Sequence, residues 1–270
     1  MKKASLHLLV VAALVAVGLG QNAPSADGLA QQAQKDGQVQ PLGTQVCQST
    51  FTSGSGLSYM KFCTTQNGNL AKFESPSTFN QLHQGGEGYG LCDVTNGNVG
   101  YYDWGVYGDS GWQGATITQP NGPNTFPLTI TRTTADGVWT LEQVFSRNTA
   151  TPAVKITMTL KNNSAVTRQV YLERFADVDA DGTSINFFDT TGTSAFGRSV
   201  FGLMLRNLTL DGMSLGGRIV PSGTTNPCNN NLINVPYKGD AATLFLWAFY
   251  AGKSIAPQKL KTVALEYRAF

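Results

Sequence analysis

Apolar and polar residues alternate through the second half of the chain, and a period of two predicts strands. Phe126, Leu128 and Ile130 alternate with polar neighbours, Ala135–Gly137 supplies a turn, and "VWTLEQVF" continues as a strand from Val138 to Phe145. Val154, Ile156, Met158 and Leu160 repeat the spacing, closed by Asn162, Asn163 and Ser164. Further strands are predicted in "TRQVYLERFADVD", in "ATLFLWAFY" (Ala242–Tyr250) and in "KTVALEYRAF" (Lys261–Phe270). Pro257 lies in the connection between the last two, where a missing backbone donor is harmless. No segment past the N-terminal region carries a helical stripe. The expected fold is all-β, an antiparallel sandwich of two sheets that bury one face each.

The N-terminus reads differently. Lys2 and Lys3 precede an apolar run from Leu6 to Val17, and Gly18-Leu19-Gly20 places small residues before Gln21. This is the pattern of a secretory signal peptide over residues 1–20, and the run is too short for a membrane span. The first cysteine is Cys47, so the expected cleavage point offers no thiol for lipidation. Gln21–Gln45 has no aromatic residue and no period, which predicts a disordered linker. One β domain is expected over residues 46–270.

Charge narrows the partners. Of 19 basic residues, loss of Lys2 and Lys3 leaves 17, against 17 acidic ones. A balanced surface without a Lys/Arg cluster disfavours nucleic acid and anionic membrane. Only 13% of residues are charged, a composition suited to a secreted or periplasmic β protein with many turns.

The succession "TRTTADGVWTLEQVF", "VKITMTLKNNS" and "YLERFADVDADG" resembles the β-sandwich, or supersandwich, domain of secreted glucoamylase-type glycoside hydrolases. The resemblance covers Phe126–Gly182 and the closing strand, and it rests on strand cadence. It implies a fold and a sugar-rich setting. In that family the catalytic acids lie on a separate helical barrel, so no catalytic residue is carried over. Mutarotase-type supersandwich epimerases use histidines, and past the signal this chain has only His83.

Four cysteines, Cys47, Cys63, Cys92 and Cys228, allow three pairings in an oxidising compartment. Cys47 and Cys63 lie eight residues either side of Ser55, so a hairpin centred there sets them opposite each other and leaves Cys92 for Cys228. None of the spacings is a CxxC, which argues against zinc.

Catalytic motifs are sparse. "GDSG" at Gly108–Gly111 matches a serine-protease fragment, but His83 is too close in sequence for that fold's triad. Gly85–Trp112 is richer, combining nine glycines with Tyr101, Tyr102, Tyr107, Trp104 and Trp112, and with Glu87, Asp103 and Asp109. Aromatic faces stack on sugar rings and carboxylates accept hydroxyl hydrogen bonds, so this mixture suits a glycan site. Two carboxylates could also hydrolyse a glycosidic bond, and the alternative to both is that the rings fill the core while the glycines make turns.

"FADVDADGTS" raises a metal question. Asp177, Asp179 and Asp181 match positions 1, 3 and 5 of a calcium loop, Gly182 permits its sharp turn, and Thr183 offers a carbonyl. The expected bidentate acid is displaced to Asp189, so the reading is a structural Ca2+ loop between strands and not an EF-hand. The alternative is a solvated turn, or one neutralised by an arginine such as Arg174. Taken together, the residues suggest a carbohydrate-binding module, with a carbohydrate-active enzyme or a structural cell-envelope protein as alternatives.

Overall fold

The computed structural model describes residues 45–76, 79–148, 151–183, 185–188, 194–209, 215–218, 226–228, 238–239, 241–247 and 252–270. The expected signal peptide, all of the expected linker except Gln45, and Asp189 lie outside these residues.

The described chain is built of strands. In order they are β1 (Ser49–Ser53), β2 (Met60–Thr64), β3 (Leu70–Glu74), β4 (Leu82–Asp93), β5 (Val99–Asp103), β6 (Asp109–Ser110), β7 (Thr116–Thr118), β8 (Leu128–Thr133), β9 (Trp139–Asn148) and β10 (Ala153–Asn162). There follow β11 (Arg168–Val178), β12 (Asn186–Phe188), β13 (Ser194–Arg198), β14 (Gly202–Asn207), β15 (Leu215–Arg218), β16 (Lys238–Gly239), β17 (Ala241–Phe245), β18 (Lys253–Ile255) and β19 (Leu260–Ala269). The only helical segments among the described residues are two 3-10 turns, Gly56–Ser58 and Gly105–Tyr107.

All pairings among the described strands are antiparallel. One sheet runs β16-β12-β13-β14-β19-β10-β9-β8-β7, and a second runs β15-β17-β11-β4-β5-β6 with β18 on β11. A small third sheet, β1-β2-β3, completes the fold. The strict alternation in β10 does what its sequence requires: Val154, Ile156, Met158 and Leu160 are all fully buried. They join Leu265 and Tyr267 of β19, Leu91 of β4, Leu172 of β11, and Phe62 and Phe73 of the small sheet in one core. This is an all-β sandwich.

The glycine-rich stretch departs from expectation. Its first half forms the twelve-residue strand β4, paired to β11 on one side and β5 on the other. The glycines are there because the Gly105–Tyr107 turn folds back over the outer face of the sheet. A Cβ at Gly88 would overlap the Asp103 carbonyl, and one at Gly90 would overlap the Trp104 indole. Trp104, Val106, Tyr107, Phe175 and Ala241 form a second buried cluster on that face.

A polar network crosses the interior. Glu87 and Arg174 are both fully buried. Glu87 accepts from Arg174 Nε and Nη2, from Tyr267 OH at 2.5 Å and from Leu70 N at 2.6 Å. Arg174 also donates to Gln143 Oε1 at 2.6 Å and to the Gly68 carbonyl at 3.0 Å. Its Cζ lies 5.6 Å from the Tyr89 ring centroid. Both sheets and the β2–β3 turn therefore meet on one ion pair, so Arg174 does not serve the aspartate turn.

Both disulfides are as expected in pairing. Cys47 joins Cys63 with Cα atoms 5.4 Å apart, and Cys92 joins Cys228 at 5.0 Å. The register differs from the one argued above. Ser53 faces Met60 and Thr50 faces Cys63, so the hairpin is centred beyond Ser55. Cys47 instead reaches Cys63 from the extended lead-in, where Gln48 N donates to the Thr64 carbonyl.

The Ala135–Gly137 turn also uses its acid. Asp136 accepts from Tyr101 OH and Thr134 Oγ1, both at 2.6 Å, and from Val138 N at 3.1 Å. Burial would raise this carboxyl's pKa, but those bonds outweigh it and hold Asp136 below the usual carboxylate range. A depressed folded-state pKa contributes stability that is present above the unfolded value and lost as pH falls through the folded one. Partial exposure limits the effect to about 1 kcal/mol. Asp136→Asn is expected to lower Tm by roughly 2–4 °C at pH 7. That deficit should shrink as pH falls below about 4 in a melting series; an unchanged deficit at acid pH would mean that charge at Asp136 contributes nothing.

Candidate functional site

At the junction of the small sheet and the β5–β6 edge lies an open pocket of about 420 Å3. Gln45, Val46 and Gln48 line one side, Thr65, Gln66, Asn67 and Asn69 of the β2–β3 turn another, and Asp103, Gly105 and Asp109 the third. The turn is aimed inward by its backbone. Gly68 adopts φ +93°, and a Cβ there would overlap the Gln143 amide. The Asn67 carbonyl accepts from Tyr89 OH at 2.8 Å and from Gln143 Nε2 at 3.3 Å, so the turn is clamped to the interior network.

The pocket floor holds two carboxylates on one guanidinium. Asp103 and Asp109 face each other across β5 and β6, an arrangement that like charges oppose. Arg132 of β8, only 3% exposed, answers both. Its Nη1 donates to Asp103 Oδ2 at 2.9 Å and Asp109 Oδ1 at 3.3 Å, and its Nη2 to Asp109 Oδ2 at 2.9 Å. Nε and Nη1 also bond the Gln113 carbonyl and Tyr89 OH, and Trp112 lies 5.6 Å from Arg132 Cζ.

Asp103 receives three further donors: Asn69 Nδ2 at 2.5 Å, Asn67 Nδ2 at 2.9 Å and Gly105 N at 3.0 Å. Burial and then the charge of Asp109 hold its pKa above the usual carboxylate range, and Asn69, Arg132 and Gly105 N offset only part of that rise. Asp109 is the open member, with its side chain 38% exposed. Beneath the surface, Asn69 Oδ1 and Gln45 Oε1 are buried without a hydrogen-bond partner among the described residues.

The residues singled out in the sequence thus separate. Asp103 and Asp109 line the pocket. Tyr101, Trp104 and Tyr107 are buried, Trp112 is half-buried against Tyr89 and Tyr101, and half-buried Tyr102 stacks on Trp104 at 5.8 Å. None of these rings lines the pocket. Glu87 is sealed in the core. Sequence reasoning missed Arg132, Asn67 and Asn69; the Asn67-Gly68 pair marks a hairpin turn but not its inward aim.

The aspartate turn lies elsewhere. Asp177 is buried with Tyr107 OH at 3.0 Å, Asp179 pairs with His83 Nδ1, and Asp181 accepts from Phe201 N at 2.9 Å. Asp181 and Gly182 both have positive φ, and Thr183 bridges Ala180. The three carboxylates diverge to separate partners, and among the described residues no acidic, histidine or cysteine side chains group as a metal centre.

No protein-family model matches the chain, and no curated protein matches it in sequence. Among solved structures it is similar to a bacterial glucoamylase complexed with acarbose, at 9% identity and a TM-score of 0.61 over 85% of this chain. It is also similar to a putative aldose 1-epimerase from Escherichia coli K12, at 11% identity and a TM-score of 0.47, covering 82% of this chain and 99% of that one. The chain spans about a third of the glucoamylase, 33% of its length, and what the two share is the fold of a β-sandwich.

Proposed function

We propose that this protein is an exported carbohydrate-binding β-sandwich whose ligand site is the Asp103–Asp109 pocket. The observation that carries the reading is the lining itself: five amide side chains, Thr65 and two carboxylates, with Val46 the only large apolar member. Pockets for drug-like ligands are predominantly apolar. A polar lining of this kind exchanges hydrogen bonds with water for hydrogen bonds with hydroxyls, which suits a polyhydroxylated ligand. Fold similarity to a glucoamylase complexed with acarbose is consistent with that class, and two disulfides suit an oxidising compartment.

The test is affinity electrophoresis and calorimetry of the full chain against a panel of soluble polysaccharides. Wild type is expected to be retained by at least one. Asn67→Ala and Asp109→Ala should each weaken binding roughly tenfold, the loss of one bond involving a charged group. A wild type retained by none, or variants that bind as wild type does, would refute the assignment.

Hydrolysis is a second reading, favoured by one observation. Asp103 and Asp109 share both Arg132 Nη1 and Asn67 Nδ2, so two carboxylates stand close together in one cleft. Glycosidases use such pairs. Release of reducing ends by wild type, abolished in Asp109→Asn, would assign turnover to the pair.

A further inference from the structure

The charge of the pocket says more about the ligand than its polarity does. Among the described residues Arg132 is the only cation bonded to the floor, where it meets two carboxylates, and no lysine, arginine or histidine lines the walls. The amides of Asn67 and Asn69, the Gly105 N–H and Arg132 all donate to buried Asp103, so its oxygens are taken up inside the network and Asp109 is the carboxylate left open to the pocket. One guanidinium against two carboxylates leaves a single negative charge in excess, and it emerges at half-exposed Asp109.

A second observation points the same way. Asn69 is 1% exposed, lines the pocket, and has an Oδ1 with no partner among the described residues. Gln45 Oε1 on the facing side is in the same condition. Buried acceptors of this kind call for a donor beyond the described residues, which a ligand, or a water held with it, would supply. The unsatisfied groups at this site are thus acceptors, and the excess charge is negative.

We infer that the pocket selects a sugar bearing a free ammonium group, such as a deacetylated hexosamine, over its N-acylated form and over uronic acids. This rests on the carbohydrate reading above and narrows it. An ammonium carries three donors and no acceptor, so it matches a charged carboxylate beside unpartnered carbonyl oxygens. A uronate would bring a second negative charge against Asp109 with no free cation on the walls to receive it. An acetamido group is uncharged, keeps one donor in place of three, and so leaves the carboxylate of Asp109 without a cation from the ligand.

The experiment is calorimetry of the full chain with three probes at pH 6, where an amine with a pKa near 8 is protonated. The probes are the tetramer of glucosamine, the tetramer of N-acetylglucosamine and tetragalacturonate. The glucosamine tetramer is expected to bind roughly tenfold more tightly than the acetylated one, with the uronide weakest. That preference should fall as salt rises from 50 mM to 500 mM, because the contact is partly exposed. In Asp109→Asn the ratio between the two hexosamine tetramers should approach one. Equal affinities in wild type, a salt-independent ratio, or tightest binding of the uronide would overturn this inference while leaving a glycan site standing. Binding of no oligosaccharide, neutral or charged, would overturn the carbohydrate reading with it. The wild-type ratio and its salt dependence decide the matter even if Asp109→Asn fails to fold.

Discussion

Arg174→Ala is expected to destabilise the protein by about 3–5 kcal/mol, the cost of leaving a buried charge without its partner. Glu87 would remain fully buried with only Tyr267 OH and Leu70 N as donors. Burial already pushes its pKa upward, and Arg174 is the largest influence pulling it back. The substitution would also free Gln143 Oε1 and the Gly68 carbonyl, so the β2–β3 turn would lose part of its anchor. For a domain of this size the loss corresponds to a fall in Tm on the order of 10 °C. Equilibrium urea unfolding of wild type and variant measures it, and a loss under about 1 kcal/mol would contradict the network's role. Replacing both members, as in Glu87→Leu with Arg174→Met, removes the unpaired charge but leaves Tyr267 OH, Leu70 N, Gln143 Oε1 and the Gly68 carbonyl without these partners, so it should recover only part of the deficit.

The second large effect concerns Cys92–Cys228. This bridge closes a sequence separation of 136, against 16 for Cys47–Cys63. Cross-linking restricts the unfolded chain more as the loop lengthens, so removing the long-range bridge should cost about 2–5 kcal/mol and more than removing the short one. Cys92 is buried within β4, which lies between β11 and β5, so the bridge ties Cys228 directly to the interior of the sheet. Calorimetry of the Cys92→Ala/Cys228→Ala and Cys47→Ala/Cys63→Ala variants gives the order directly. The reverse order would show that native-state contacts, and not loop closure, set the effect. The short bridge has a separate consequence. Cys47 lies between Val46 and Gln48, both in the pocket lining, so its loss should weaken ligand binding more than it lowers stability.

The strands that could be read from the sequence share one property: each buries a face whose periodicity its own residues declare. β8 to β11 and β19 fall where alternation placed them, because every second side chain meets the same core. The cysteine pairing read from a hairpin about Ser55 was right although its register was not, because Cys47 reaches Cys63 from the extended lead-in to β1. The strand β4 was hidden for the opposite reason. Gly88 and Gly90 carry no side chain to declare a face, and their role appears only when the Gly105–Tyr107 turn is folded onto them. Aromatic rings close together in sequence were similarly ambiguous; Trp104 and Tyr107 are buried, and only the arrangement of the sheets shows it.

Charged residues depended most on the tertiary structure. Coulombic and hydrogen-bond partners are chosen by distance in space, and the sequence separates them widely. Asp103 meets Asn67 and Asn69 from more than thirty residues upstream and Arg132 from nearly thirty downstream, while Glu87 meets Tyr267 across 180 positions. The aspartates 177, 179 and 181 are adjacent in sequence, yet a strand end and a left-handed turn send them to three different partners. The sequence by itself therefore determined the all-β class and the strands β8 to β11 and β19, because periodicity is a property of order along the chain. Only the tertiary structure decided which acids are sealed, paired or open, because that depends on which distant donors the folded sheets bring within 3 Å.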